Sequence, residues 1–214
     1  VMTLTTQGDV PIHYTLDGSE PTAASPRYTG PVEIGKSARF RATALREGGE
    51  NASYSREFAF SKSTGRPAVL NTKPNDSYTF EGASLLVDGY HSRPVFTSGA
   101  WLGYLDEPLD VTIDMGGEQS YRSVELETLA EKGDWIFPPS SVTVWVSDNG
   151  TDFTEVASVA VPEAKAGDAD GIGRYRMQFP ETSARYLKVV AQNAAAIPAW
   201  HPGAGSKGFL FVDE

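Results

Sequence analysis

The chain contains no cysteine. Disulfide frameworks, thiolate metal centres and cysteine nucleophiles are therefore excluded. Histidine is scarce: His13, His91 and His201 are the three in 214 residues. They show none of the spacings of a zinc site. Basic residues are outnumbered, with 18 Lys and Arg against 28 Asp and Glu, and the formal net charge is −10. Phosphate contacts require a basic stripe, so nucleic acid is not an expected partner. No apolar run approaches the ~20 residues of a membrane helix, and no membrane insertion is expected. No signal peptide is visible. The opening VMTLTTQGDV reads at once as strand and turn, as in a segment taken from a longer chain. Sustained helical periodicity is absent, and the run Ala194–Ala196 is short and followed by Pro198.

What is present suits strands. The 21 Gly, 14 Pro and 9 Tyr, with many Thr and Val, make short strands joined by turns. Residues 1–61 read as a compact β unit. Its strands are expected at Met2–Thr6, Pro11–Leu16, 37–46 and Tyr54–Phe60, with turns at Asp17-Gly18 and Gly48-Gly49. Period-2 alternation gives most of them one buried face, hence two small sheets packed together. Ser61–Arg66, SKSTGR, has linker composition. The expected domains are therefore 1–64 and 65–214.

The second domain carries turn signals at Asn75-Asp76, Asp88-Gly89, Ser98-Gly99, Gly116-Gly117, 148–150 and 167–173. Alternating stretches lie between them: Leu109, Val111, Ile113 and Met115; Val124, Leu126 and Thr128; Val142, Val144 and Val146; Tyr175, Met177 and Phe179; Leu187 and Val189; and the closing Phe209–Val212. So many short strands predict a jelly-roll sandwich.

Two resemblances follow from particular residues. Tyr14-Thr15-Leu16-Asp17-Gly18-Ser19-Glu20-Pro21-Thr22, then Ser25-Pro26 and Tyr28-Thr29-Gly30-Pro31, resemble the small C-terminal domain of bacterial family 20 β-N-acetylhexosaminidases and chitobiases. Four later pieces resemble the discoidin-type, or coagulation factor C-type, galactose-binding-like domain: Leu86–Gly89, Leu109–Gly116, Val142–Phe153 and Thr182–Val189. Together they imply an all-β chain, a small immunoglobulin-like β-sandwich followed by a galactose-binding-like jelly roll.

The second resemblance implies a structural calcium beside the loop after Val87, with Asp88, Ser92 and Glu214 at the ligand positions. Hard oxygens of this kind suit calcium, backbone carbonyls supplying the rest. Tyr90 and His91 depart from the family's small polar residues at that loop. Carbohydrate sites stack aromatic rings on pyranose faces. The loop candidates are Trp101, Tyr104, Trp135, Trp200 and His201, with Arg93 and Asp134 as polar partners.

No catalytic residue is assigned. The dipeptides Asp106-Glu107 and Asp213-Glu214 match the hexosaminidase acid pair in composition, but the catalytic barrel that would carry that pair is absent. Gly203-Ala204-Gly205-Ser206-Lys207-Gly208 has dinucleotide-loop spacing without the flanking strand and helix. Asp168-Ala169-Asp170-Gly171 begins like a calcium loop but has Phe179 at the twelfth position, and reads as a solvated hairpin.

Three readings stay open. In the first, the segment is the non-catalytic C-terminal part of a bacterial β-N-acetylhexosaminidase, periplasmic, cell-surface or secreted. It would pack on the parent's catalytic barrel and bind glycans with terminal N-acetylhexosamine or galactose. The second is a self-standing carbohydrate-binding or adhesion module, and the third a ligand-free spacer.

Overall fold

The computed structural model describes residues 1–46, 48 and 50–214. Gly49, half of the expected Gly48-Gly49 turn, lies outside the described residues. Contacts divide the chain into two compact units, Val1–Ser61 with Gly89–His91, and Lys62–Asp88 with Ser92–Glu214. Regular structure among the described residues is strand plus short 3₁₀ turns, so the all-β class holds. Among the described residues, no helix is long and apolar enough to cross a membrane.

In the first unit, β1 (Ile12–Thr15), β2 (Ala38–Ala44) and β3 (Ala52–Phe58) form an antiparallel sheet in that order. Alternation along β2 puts Phe40 and Ala42 into the core with Phe58. The opposing layer is thin. Met2 and Val32 exchange backbone hydrogen bonds of 2.8 and 2.9 Å, among the described residues the one bridge within the expected Met2–Thr6 strand. They bring Met2, Leu4 and Ile34 over the core. The Asp17 turn closes as its chemistry dictates: Asp17 Oδ1 accepts from Ser19 N at 3.0 Å and Ser19 Oγ at 2.6 Å. Tyr90 explains its own departure from the family loop. Its ring packs edge-on to Phe58 at 4.9 Å and lies 3.9 Å beneath the Arg56 guanidinium. A small polar residue there would forfeit that contact.

The second unit contains β4 (Ala68–Leu70), β5 (Leu102–Tyr104), β6 (Leu109–Ala130), β7 (Ser141–Ser147), β8 (Thr154–Ala160), β9 (Gly171–Gln192) and β10 (Leu210–Asp213). Hydrogen bonding runs in the order β5-β10-β6-β9-β7-β8, with β4 on β6. Several separate sequence stretches thus merge: Leu109–Met115 and Val124–Thr128 are two halves of one strand. β6 and β9 have 22 residues each and pair antiparallel, with register shifts between Asp114 and Gln119 and between Tyr121 and Ser123. Val111 and Ile113 from one half of β6 share a core with Leu126 from the other. A straight strand cannot place both halves on one core, so β6 bends at the irregularity. Gly116, at φ +77, sits there. Val142, Val144, Leu187, Val189, Leu210 and Val212 fill the same core, each contributing roughly 1.5–3 kcal/mol by burial.

Candidate functional site

The sequence candidates separate into buried and exposed groups. Trp101 is completely buried among Leu129, Ile136 and Phe211, and its Nε1–H donates to the Arg93 carbonyl at 3.0 Å. Tyr104 is completely buried on β5 opposite Leu210, and burial drives its hydroxyl pKa up. Neither ring has a face to offer a sugar. The expectation for these two is corrected: both belong to the core, because distant strands cover them. Arg93 is exposed on the loop that passes over Trp101.

Trp135, Trp200 and His201 come together. Glu131 and Ile136 pair as a tight hairpin, with bonds of 3.1 and 3.2 Å. At its tip, Lys132–Asp134 form a 3₁₀ turn that Trp135 closes at φ 63, ψ 25. A left-handed tryptophan is uncommon and costs on the order of 1–3 kcal/mol. Its backbone is pinned on both sides, its N–H donating to Lys132 O at 3.0 Å and its carbonyl accepting from Phe209 N at 2.8 Å. The side chain remains 42 % exposed.

His201 is the centre of the group. It is buried, and Gly203 N–H donates to its Nδ1 at 3.1 Å. The ring proton therefore sits on Nε2, which donates to Lys132 O at 3.0 Å. Both nitrogens are spent on the chain, so His201 orients neighbours and has no nitrogen left for a ligand. Trp135 and Trp200 both stand edge-on to the imidazole, with centroids 6.0 and 5.6 Å away. Phe137 packs beneath at 5.5 Å. Trp200 is 39 % exposed and its Nε1–H donates to Ala164 O at 2.9 Å.

The run Gly203–Gly208 now has a physical role unrelated to nucleotides. A Cβ on Gly203 would lie 2.8 Å from Cζ2 of Trp135, and one on Gly208 would lie 2.7 Å from Cδ2 of Phe137. The glycines let aromatic rings lie directly on the backbone. The Asp168–Gly171 segment serves the same loops. Lys132, itself buried, is ion-paired with Asp170 and donates to Asp168 O at 2.9 Å. Burial opposes ionisation of Asp170, but its bonds from Lys132 outweigh this and lower its pKa. Glu131 is shifted upward by burial and by neighbouring Asp134 and Asp170. Lys132, Ala164 and Gly203 were not legible as site residues. Their contributions are a backbone carbonyl, another carbonyl and an absent side chain.

At the calcium loop, Asp88 ends the 3₁₀ turn Gly82–Val87. Ser92 N–H donates to Asp213 Oδ2 at 2.9 Å, and Ser92 Oγ–H donates to Ala100 O at 3.0 Å. The acid beside Ser92 is thus Asp213. Glu214 lies one residue past the strand end, its carbonyl accepting from Glu127 N at 2.9 Å. Asp213 is 1 % exposed. Burial pushes its carboxyl up to about 7, and Asp88 adds to the rise against the Ser92 bonds. Carboxylate, hydroxyl and carbonyl oxygens are hard donors, of the type calcium takes. Among the described residues, no three His, Asp or Glu side chains gather as a metal centre, so such an ion would depend on carbonyls as well. The other acid dipeptide is structural: Asp106 pairs with Lys207 at 2.6 Å and Glu107 accepts from Lys73 N at 3.0 Å.

Residues 71–206 match the model of the F5/8 type C domain. The chain belongs to this family. Residues 2–58 match the Fn3 associated model. Among solved structures, the F5/8 type C chain is similar to the Clostridium perfringens module CpGH89CBM32-5, in complex with GalNAc-β-1,3-galactose. That match has 17 % identity, 69 % coverage of this chain and 94 % of the other, and a TM-score of 0.43. It is also similar to chitosan-binding module 2 of a chitosanase/glucanase from Paenibacillus sp. IK-5, in complex with chitotriose, at 16 % identity, 71 % and 95 % coverage and a TM-score of 0.44. No curated protein matches it.

Proposed function

We propose that the F5/8 type C unit binds glycan through the exposed faces of Trp135 and Trp200. The observation that carries this is their setting. Two large apolar rings stay 42 and 39 % exposed while hydrogen bonds, glycine contacts and a buried histidine hold them in place. Packing residues would be covered, and incidental surface tryptophans would not be braced from below. Preformed aromatic faces lose little entropy on binding, and sugar rings present the apolar C–H faces they accept.

The segment is in this reading a non-catalytic part of a bacterial, exported β-N-acetylhexosaminidase whose barrel lies elsewhere in the parent chain. The run Tyr14–Pro31, which resembles the hexosaminidase C-terminal domain, supports that parentage. Calcium at Asp88, Ser92 and Asp213 belongs to the same proposal. Its part is structural: a cation bound only by the folded state would stabilise the loop.

A glycan-array screen of the whole chain, with and without calcium, tests both. Binding to N-acetylhexosamine or galactose termini is expected, together with a higher melting temperature in calcium. A blank array from folded protein would make the segment a scaffold. An unchanged melting temperature would remove the ion.

A further inference from the structure

We infer that this site takes a terminal sugar together with the unit next to it in a neutral glycan chain, rather than the terminal sugar alone. The inference rests on the glycan reading above and concerns the length of chain the site recognises.

The two indoles come from different loops, 131–140 and 193–208, yet border one turn. Trp200 and His201 open that turn, and the ring of Trp135 lies on Gly203. His201 N–H bonds back to Pro198 O at 3.0 Å, and Ala204 N–H bonds to His201 O at 3.0 Å. Both rings are edge-on to the same imidazole, so their centroid separation cannot exceed the sum of 6.0 and 5.6 Å. One pyranose can cover one indole face. A second, linked ring can reach the neighbouring indole within that distance.

Polar groups at the site point the same way. Trp200 Nε1–H is already committed to Ala164 O, which leaves that indole its apolar surface as its contribution. Both histidine nitrogens are committed as well. Recognition here is by stacking area, and stacking area grows with the number of sugar rings. The surrounding loops carry Glu131, Asp134, Glu163, Asp168 and Asp170 against Lys132, Lys165 and Lys207. That excess of carboxylates disfavours uronic or sialic acid units.

The test is calorimetric titration of the full chain with N-acetylglucosamine, its β-1,4-linked dimer and trimer, galactose, and GalNAc-β-1,3-galactose. A disaccharide is expected to bind at least about tenfold tighter than its monosaccharide, a gain worth about 1.4 kcal/mol. Trp135→Ala and Trp200→Ala should each remove that gain, bringing the disaccharide's affinity down to no more than that of its monosaccharide on the wild-type protein. Trp135→Phe and Trp200→Phe, which retain a ring, should restore part of it, with circular dichroism confirming the fold of every variant. Equal affinity for mono- and disaccharides would overturn the two-unit reading and leave glycan binding intact. No heat from any of these sugars with folded wild-type protein would overturn both.

Discussion

Single residues in this protein act through what they hold in place. His201 links Lys132, Gly203, Phe137 and two tryptophans through two hydrogen bonds and three ring contacts. Asp213 is the other pivotal residue, because its carboxyl is buried against its preference for water. Its folded-state pKa of about 7 lies above the ordinary 3.8. Between those values the native state holds more protons than the unfolded chain, so stability falls as pH rises from about 4 to 7. In calcium-free buffer, urea denaturation should show that fall, with a slope of up to about 1.4 kcal/mol for each step of one in pH. Asp213→Asn should flatten it while its amide oxygen still accepts from Ser92. An identical slope in the variant would assign the effect to other carboxylates.

Among the elements, β6 sets the geometry of the jelly roll. It serves both layers of one core because it bends near Gly116, whose φ of +77 is open to glycine and costly for a branched side chain. The Arg185 guanidinium grips Asp114 through two bonds, 2.9 and 2.8 Å. Asp114 Oδ1 also accepts from Gly116 N at 2.9 Å. Those bonds hold the Asp114 carboxyl down at about 2. Gly116→Val is expected to cost about 1–3 kcal/mol in backbone strain. Gly117→Ala, with open space around it and no positive φ, should cost clearly less. Equal losses in urea midpoints would show that the bend does not depend on the left-handed glycine. Turn signals pointed to Gly116-Gly117 from the sequence, but as the end of a strand. That one strand continues through it depends on pairing with β9, far along the chain, which no local pattern records.

For the molecule as a whole, the net charge of −10 selects among ligands before any contact forms. Neutral glycans are not repelled, and polyanions are. Lactose should therefore bind more tightly than its sialylated counterpart, with the gap narrowing as salt rises and screens the repulsion. Tighter binding of the sialylated sugar in calorimetric titration would contradict the charge argument. By the same argument, the affinity for lactose is expected to depend only weakly on salt.

The sequence by itself determined the all-β class, the strand faces and the family, because alternation, turn chemistry and motif order are local properties. It also singled out Trp135, Trp200 and His201 as loop residues. Tertiary structure alone decided which aromatics face solvent. Trp101 and Trp135 both stand in polar, glycine-containing loops, yet only Trp101 is roofed by Leu129, Ile136 and Phe211 from distant strands. It likewise decided that Asp213 meets Ser92, a contact across 121 residues, and that Gly203 exists to seat a ring. Exposure and partnership are set by long-range packing, and a linear pattern carries the propensity of each residue without the identity of what covers it.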